Sequence, residues 1–134
     1  MPKGENLKSC EIYNPKTNSW KETDSLSISR DRHSQVILEN GNVLLLGGTT
    51  HNDSTGSATA ENHCAIFDIN TEKWHYVGPL LAYRAYPGVF RLNEKYLIIV
   101  GGDVSDSWEI YDLEKYESVY LELLGSNQII NRFN

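Results

Sequence analysis

Between the apolar run that ends at Leu46 and the next at Cys64, the chain places His51, Asp53, Glu61, His63 and Cys64. Imidazole, carboxylate and thiolate are the groups that hold transition metals. Their spacing here follows no zinc-ligand pattern, and the Ser-, Thr- and Gly-rich sequence between them makes a poor cage. No Gly-x-Ser-x-Gly elbow and no His-Glu-x-x-His pair occurs, and Asp103, Asp106 and Glu109 read as solvated carboxylates on loops and edges. Gly47-Gly48 and Gly101-Gly102 are not followed by a helical pattern, so they do not form a phosphate cradle. Neither a metal nor a cofactor is expected. What remains is recognition chemistry. Arg30, Arg32, His51, Asn52, Asp53, Tyr83, Arg84 and Tyr86 lie on polar connections, and arginine and tyrosine carry much of the energy in protein interfaces.

Charge narrows the partner. The chain carries 18 acidic against 12 basic residues, a net charge of -6, which opposes sequence-independent binding to nucleic acid or docking on anionic lipid. No apolar run approaches the length of a membrane span, and Met1-Pro2-Lys3-Gly4-Glu5-Asn6 has no apolar signal-peptide core. A soluble chain is expected, with the compartment left open. Cys10 and Cys64 occupy equivalent places in a repeat, too far apart for a disulfide if stacked sheets carry them, so two reduced thiols are expected.

The repeat is what positions everything else. Cys10, Ile12, Tyr13, Asn14, Trp20, Arg30 and Leu38 recur without a gap as Cys64, Ile66, Phe67, Asp68, Trp74, Arg84 and Leu92, and Val43–Gly48 recurs as Leu97–Gly102. Trp108-Glu109-Ile110-Tyr111-Asp112 opens a third copy of Cys64–Asp68. Such self-similarity marks units that bury an apolar face on a neighbour. Within each unit, short alternating segments separated by turn residues predict strands: 9–14, 19–23, 33–38, 43–46, 64–68, 73–77, 86–92, 96–100, 108–113 and 117–122. Glu39-Asn40-Gly41-Asn42 suits a type I′ hairpin turn. Residues 49–63 read as a polar loop with little reason to order by itself. No segment has a helical period. Tyr13, Trp20, Phe67, Trp74 and Tyr111 recur at fixed places and are expected to pack between units.

The succession Ile12-Tyr13-Asn14-Pro15, Trp20, Arg30-Asp31-Arg32-His33, Leu44-Leu45-Leu46-Gly47-Gly48, with its second copy at Ile66-Phe67-Asp68, Trp74, Arg84 and Ile99-Val100-Gly101-Gly102, resembles a kelch repeat. The resemblance covers residues 9–122. It departs at Pro87, where His33 would recur, and at Ser118, where a tryptophan would recur and where Tyr120 could fill part of the space. It implies an all-β fold: a partial kelch-type β-propeller of four-stranded antiparallel blades. Residues 1–8 would form a polar segment, 9–23 the outer half of a first blade, 33–77 and 86–122 two blades, and 123–134 the start of another. A blade takes about 45–50 residues and a ring about 4–8 blades, so this stretch does not close a ring. It would be part of a longer protein, or would associate with itself through exposed blade faces.

The resemblance further implies that the B–C and D–A connections, 49–63, 103–107, 24–32, 78–85 and 125–127, share one face, which in such proteins commonly holds a protein or peptide. The eight recognition residues lie on or beside that face. Arg30 and Arg84 have a second reading, stacking on Trp20 or Trp74. The function implied is a scaffold or substrate-adaptor module that is not itself an enzyme. The alternative is part of a kelch-type enzyme, galactose oxidase-like or sialic acid epimerase-like, whose active residues lie elsewhere, since no matching ligand set occurs here.

Overall fold

A computed structural model describes residues 7–52 and 54–123. All regular structure among them is β, in strands β1 (Glu11–Asn14), β2 (Ser19–Glu22), β3 (Ser34–Ile37), β4 (Val43–Leu46), β5 (Thr49–His51), β6 (Ala58–Ala60), β7 (Cys64–Asp68), β8 (Lys73–Val77), β9 (Gly88–Arg91), β10 (Tyr96–Val100), β11 (Ser107–Asp112) and β12 (Glu117–Leu123). They form a β1–β2 hairpin, a sheet β3-β4-β7-β8, a small β5–β6 hairpin and a sheet β9-β10-β11-β12, every pairing antiparallel. No helix among the described residues is long and apolar enough to cross a membrane. The segment expected to open a further unit lies, from residue 124 onward, outside the described residues.

The outer pair of strands in each unit is joined by one turn, used three times. An Asn or Asp ends the first strand, at positions 14, 68 and 112, and its side-chain oxygen accepts backbone N–H groups two and three residues on: Lys16, then Asn70 and Thr71, then Glu114 and Lys115. The chain then passes through a left-handed residue, Asn18, Glu72 or Tyr116, with φ of 50°, 56° and 52°. A short polar side chain that bonds locally makes this turn available without glycine at its start. The β3–β4 connection differs from expectation. Only Gly41 has positive φ, and its N–H bonds to Leu38 O at 3.0 Å, so Glu39 and Asn40 form the centre of a type I turn closed by a glycine bulge.

Alternation sorts each sheet into two faces. Leu44, Leu46, Cys64 and Ile66 on one face of the first sheet meet Leu97, Ile99 and Tyr111 of the second, with Leu38 and Leu80 closing the ends of this core. Tyr111 donates its hydroxyl to Gly78 O at 2.8 Å, which satisfies the one polar atom it brings into the core. Phe67 and Tyr111 are buried as expected of packing residues, whereas Tyr13 is exposed and Trp20 is 66% exposed. The reason is positional: no sheet among the described residues stands against that face of the β1–β2 hairpin. Tyr120 does not take the place left by Ser118. A bulge between Ile110 and Tyr111 turns it to the opposite face, where its ring lies 5.4 Å from that of Trp108.

Residues 49–63 also depart from expectation, because β5 and β6 pair through Thr49–Ala60, Thr50–Thr59 and His51–Ala58. Asn52 caps the turn, its side-chain oxygen accepting from Ser54 and Thr55 N–H. Threonine-rich flanks and a turn with Gly56 were the available signal. The glycine pairs let connections press together: a Cβ on Gly48 would lie 2.6 Å from Asp31 O, and one on Gly102 2.6 Å from Ala85 O.

Candidate functional site

The connections that the repeat places at one end of the sheets are stitched to each other by backbone hydrogen bonds. Gly48 N–H donates to Arg84 O at 2.8 Å, Arg84 N–H to Glu61 O at 3.0 Å, Glu61 N–H to Gly48 O at 2.8 Å, and Tyr86 N–H to Arg32 O at 2.8 Å. Asp31 and Thr49 exchange both of their backbone bonds. Loops held in this way present side chains from a fixed frame.

Two of the expected recognition residues are inside that frame. Arg84 is fully buried. Its Nη1 donates to Gly101 O and Ser107 O, both at 2.9 Å, and its Nη2 to Ser107 Oγ at 2.7 Å. Its Nε and Nη2 each lie 2.9 Å from Glu109 Oε2. Glu109 also accepts the N–H of Leu81 at 2.7 Å and of Ala82 at 3.3 Å, so one carboxylate gathers the arginine and the loop before it. This corrects the reading of Glu109 as a solvated carboxylate. The signal was a lone charge inside an otherwise apolar strand, Trp108-Glu109-Ile110-Tyr111. Arg30 is 4% exposed and uses the same grip, Nη1 donating to Gly47 O and His63 O at 3.0 Å. Neither arginine stacks on Trp20 or Trp74, because backbone carbonyls and Glu109 claim the guanidinium groups. Both lie beneath the exposed loop face rather than on it.

Arg32 and Tyr86 remain outside. They occupy the same place in successive units, both at φ of 54°, where side chains other than Gly and Asn are uncommon. The Arg32 guanidinium carbon lies 5.6 Å from the centre of the Tyr86 ring, and both side chains are exposed. Beside them Asp31 bridges Arg32 at 4.0 Å and His51 Nε2 at 3.4 Å. Tyr83 is exposed, with no hydrogen-bond partner among the described residues. Asn52 is spent on its turn, and Asp53 lies outside the described residues. The structure therefore groups Arg32, Tyr86 and His51 around Asp31, a residue that was not singled out from the sequence.

The imidazole and thiol groups do not gather. His51 pairs with Asp31, while His63 Nδ1 lies 2.6 Å from Glu61 Oε2. Cys64 is buried in the core, and burial pushes its thiol pKa up to about 12, which leaves it an inert apolar filler. Among the described residues no three metal-ligating side chains form a group. Cys10 and Cys64 are both free thiols.

Comparison with known proteins gives partial likenesses. The chain is 27% identical over 66 residues to a protein of Arabidopsis thaliana named for F-box and kelch-repeat segments, a match that spans 49% of this chain and 16% of that protein. It is 51% identical over 39 residues to tRNA wybutosine-synthesizing protein 4 of Saccharomyces cerevisiae, across 29% of this chain and 6% of that protein. No family model matches. The chain thus corresponds to less than a fifth of either relative's length. The first likeness hints at kelch repeats, in agreement with an all-β architecture of four-stranded antiparallel sheets.

Proposed function

We propose that this chain is part of a kelch-type propeller, with blades at 33–77 and 86–122, and that it serves as a protein-interaction module rather than an enzyme. A protein or peptide partner docks on the exposed residues of the stitched loop face: Arg32, Tyr86, Tyr83 and His51. The observation that carries this reading is the Arg32–Tyr86 pair. Two large side chains are held in a left-handed backbone, stacked and exposed, on loops that hydrogen bonds immobilise. Backbone strain persists where surrounding structure over-determines it, and such positions cluster at functional sites. Rigid aromatic and arginine side chains are also the usual anchors of an interface. The likeness to an F-box/kelch-repeat protein favours a protein partner.

The test is a triple substitution, Arg32→Ala, Tyr83→Ala and Tyr86→Ala. The variant should keep its far-UV circular dichroism and urea midpoint yet lose the proteins that cross-link to the wild-type chain. Retention of the same cross-links would remove the loop face as the docking surface.

A second reading rests on the higher identity to the wybutosine-synthesizing protein. In that reading the chain is a non-catalytic arc of a tRNA-modifying enzyme whose active residues lie elsewhere. The net charge of -6 assigns the tRNA contact to other parts of such a protein. Disrupting the parent gene and measuring wybutosine in tRNA separates the two: loss of the base supports the second reading, and unchanged wybutosine excludes it.

A further inference from the structure

The two arginine corners are the same structure with one part exchanged. At the second corner, Arg84 Nε and Nη2 are neutralised by Glu109 on β11. The strand that matches β11 in the first sheet is β7, where Ala65 stands at the place of Glu109. The consequence is direct: Arg30 Nε and Nη2 are buried and have no partner among the described residues. A buried guanidinium with idle donors is costly, and the twin corner shows what those donors take when it is offered.

Arg30 lines a crevice of about 590 Å³ between the β1–β2 hairpin and the β3-β4-β7-β8 sheet. Leu26, Leu45 and Phe67 supply apolar wall. His33 and Trp74 also line it, and their Nδ1 and Nε1 atoms are likewise buried without a partner. The acidic groups on its rim are Glu11 and Asp31, and Asp31 is engaged with His51 and Arg32.

We propose that this crevice is a binding site for a carboxylate on a short aliphatic stem, held by Arg30 Nε and Nη2 in the manner that Glu109 is held by Arg84. Arginine suits this task because its planar fork matches the two oxygens of a carboxylate. Leu45 and Phe67, which line the crevice, would flank the stem. The site is separate from the loop face proposed for partner docking, since Arg30 is buried and Arg32 and Tyr86 are exposed. Its ligand is either a small free acid or a glutamate side chain of a polypeptide; the chemistry at Arg30 is the same.

The experiment titrates the full chain with glutarate and, separately, with N-acetylglutamate amide, reading thermal midpoint and the fluorescence of Trp74 and its fellow tryptophans. A saturable rise in midpoint is expected with one or both, and the tighter of the two identifies the source. Sulfate at matched ionic strength should give no such saturation. Ala65→Glu supplies the carboxylate internally and should raise the midpoint of the free chain while abolishing the response. Because Arg30→Lys would also disturb the grip on Gly47 and His63, Ala65→Glu is the deciding variant. Equal response to sulfate, no response to either carboxylate, or a response that survives in Ala65→Glu would each overturn the proposal. Ordered water would then be the partner of Arg30.

Discussion

The two four-stranded sheets share strand order, turn chemistry and the arginine grip at the corner, yet they live in different surroundings. In the first sheet, Leu44, Leu46 and Ile66 are buried under the second. In the second, Ile98, Val100 and Ile110 occupy the matching positions and are only half-buried, and Phe90, at the place of Val36, is 62% exposed. Sequence periodicity makes both faces apolar; a neighbour alone decides which is interior. The corners differ in the opposite sense. The second holds a complete arginine–glutamate pair, and the first holds an arginine with two donors that find no partner among the described residues. Packing is more complete on the first sheet, polar satisfaction on the second. Similar repeat units therefore reach stability by different balances.

The sharpest way to break the comparison is at the corners. Arg84→Ala leaves Glu109 buried without its partner and is expected to cost about 3–5 kcal/mol. Arg30→Ala removes two carbonyl contacts but strands no carboxylate, and should cost markedly less. Urea unfolding of the two variants under identical conditions checks the order, and equal losses would mean that Glu109 adds nothing.

The sheet faces give the next effect. Leu44→Ala opens a cavity in the shared core and should cost about 2–5 kcal/mol. Ile98→Ala, on the face with no sheet against it among the described residues, should cost less than half as much, as read from urea midpoints. If the two losses match, something covers that second face in solution, and light scattering would show the association.

The smallest effect is electrostatic and belongs to the first corner alone. Burial and the neighbouring Arg30 charge depress the His33 pKa below its ordinary 6.5, with Asp31 opposing them. The unfolded chain then takes up a proton before the folded one, so stability should fall as pH drops below about 6.5, the histidine reference value, towards the lowered folded value. Pro87 stands at the matching position of the second corner and titrates nothing. His33→Gln should flatten the slope of the urea midpoint between neutral pH and the onset of carboxylate protonation. An unaltered slope would assign the dependence to other groups.

Much of this was legible in the chain. Alternation and the repeat located the strands of all three outer pairs and both inner pairs, because side-chain period and turn residues are local signals. The glycine pairs marked close approach, which the carbonyls of Asp31 and Ala85 provide. Other features depend on partners that spacing does not reveal. Arg30 and Arg84 looked alike, and what separates them is a residue on a third strand, Ala65 or Glu109, that joins them only when the sheet forms. Trp20 and Trp74 looked alike too, and differ because, among the described residues, only Trp74 has a neighbouring element to shelter it. Asp31 escaped notice because its importance lies in bridging Arg32 and His51, a relation between loops.

The silent thiol of Cys64 gives the molecule an internal clock. It sits where the two sheets meet and holds its proton to about pH 12, so an alkylating reagent can reach a thiolate only while the sheets are apart. When closing outpaces modification, the labelling rate measures the population of that opened state, much as amide exchange measures local opening. Half-exposed Cys10 supplies the unprotected rate in the same sample. RT times the logarithm of their ratio, unprotected over protected, is the free energy of the opening that exposes Cys64, available without adding a probe.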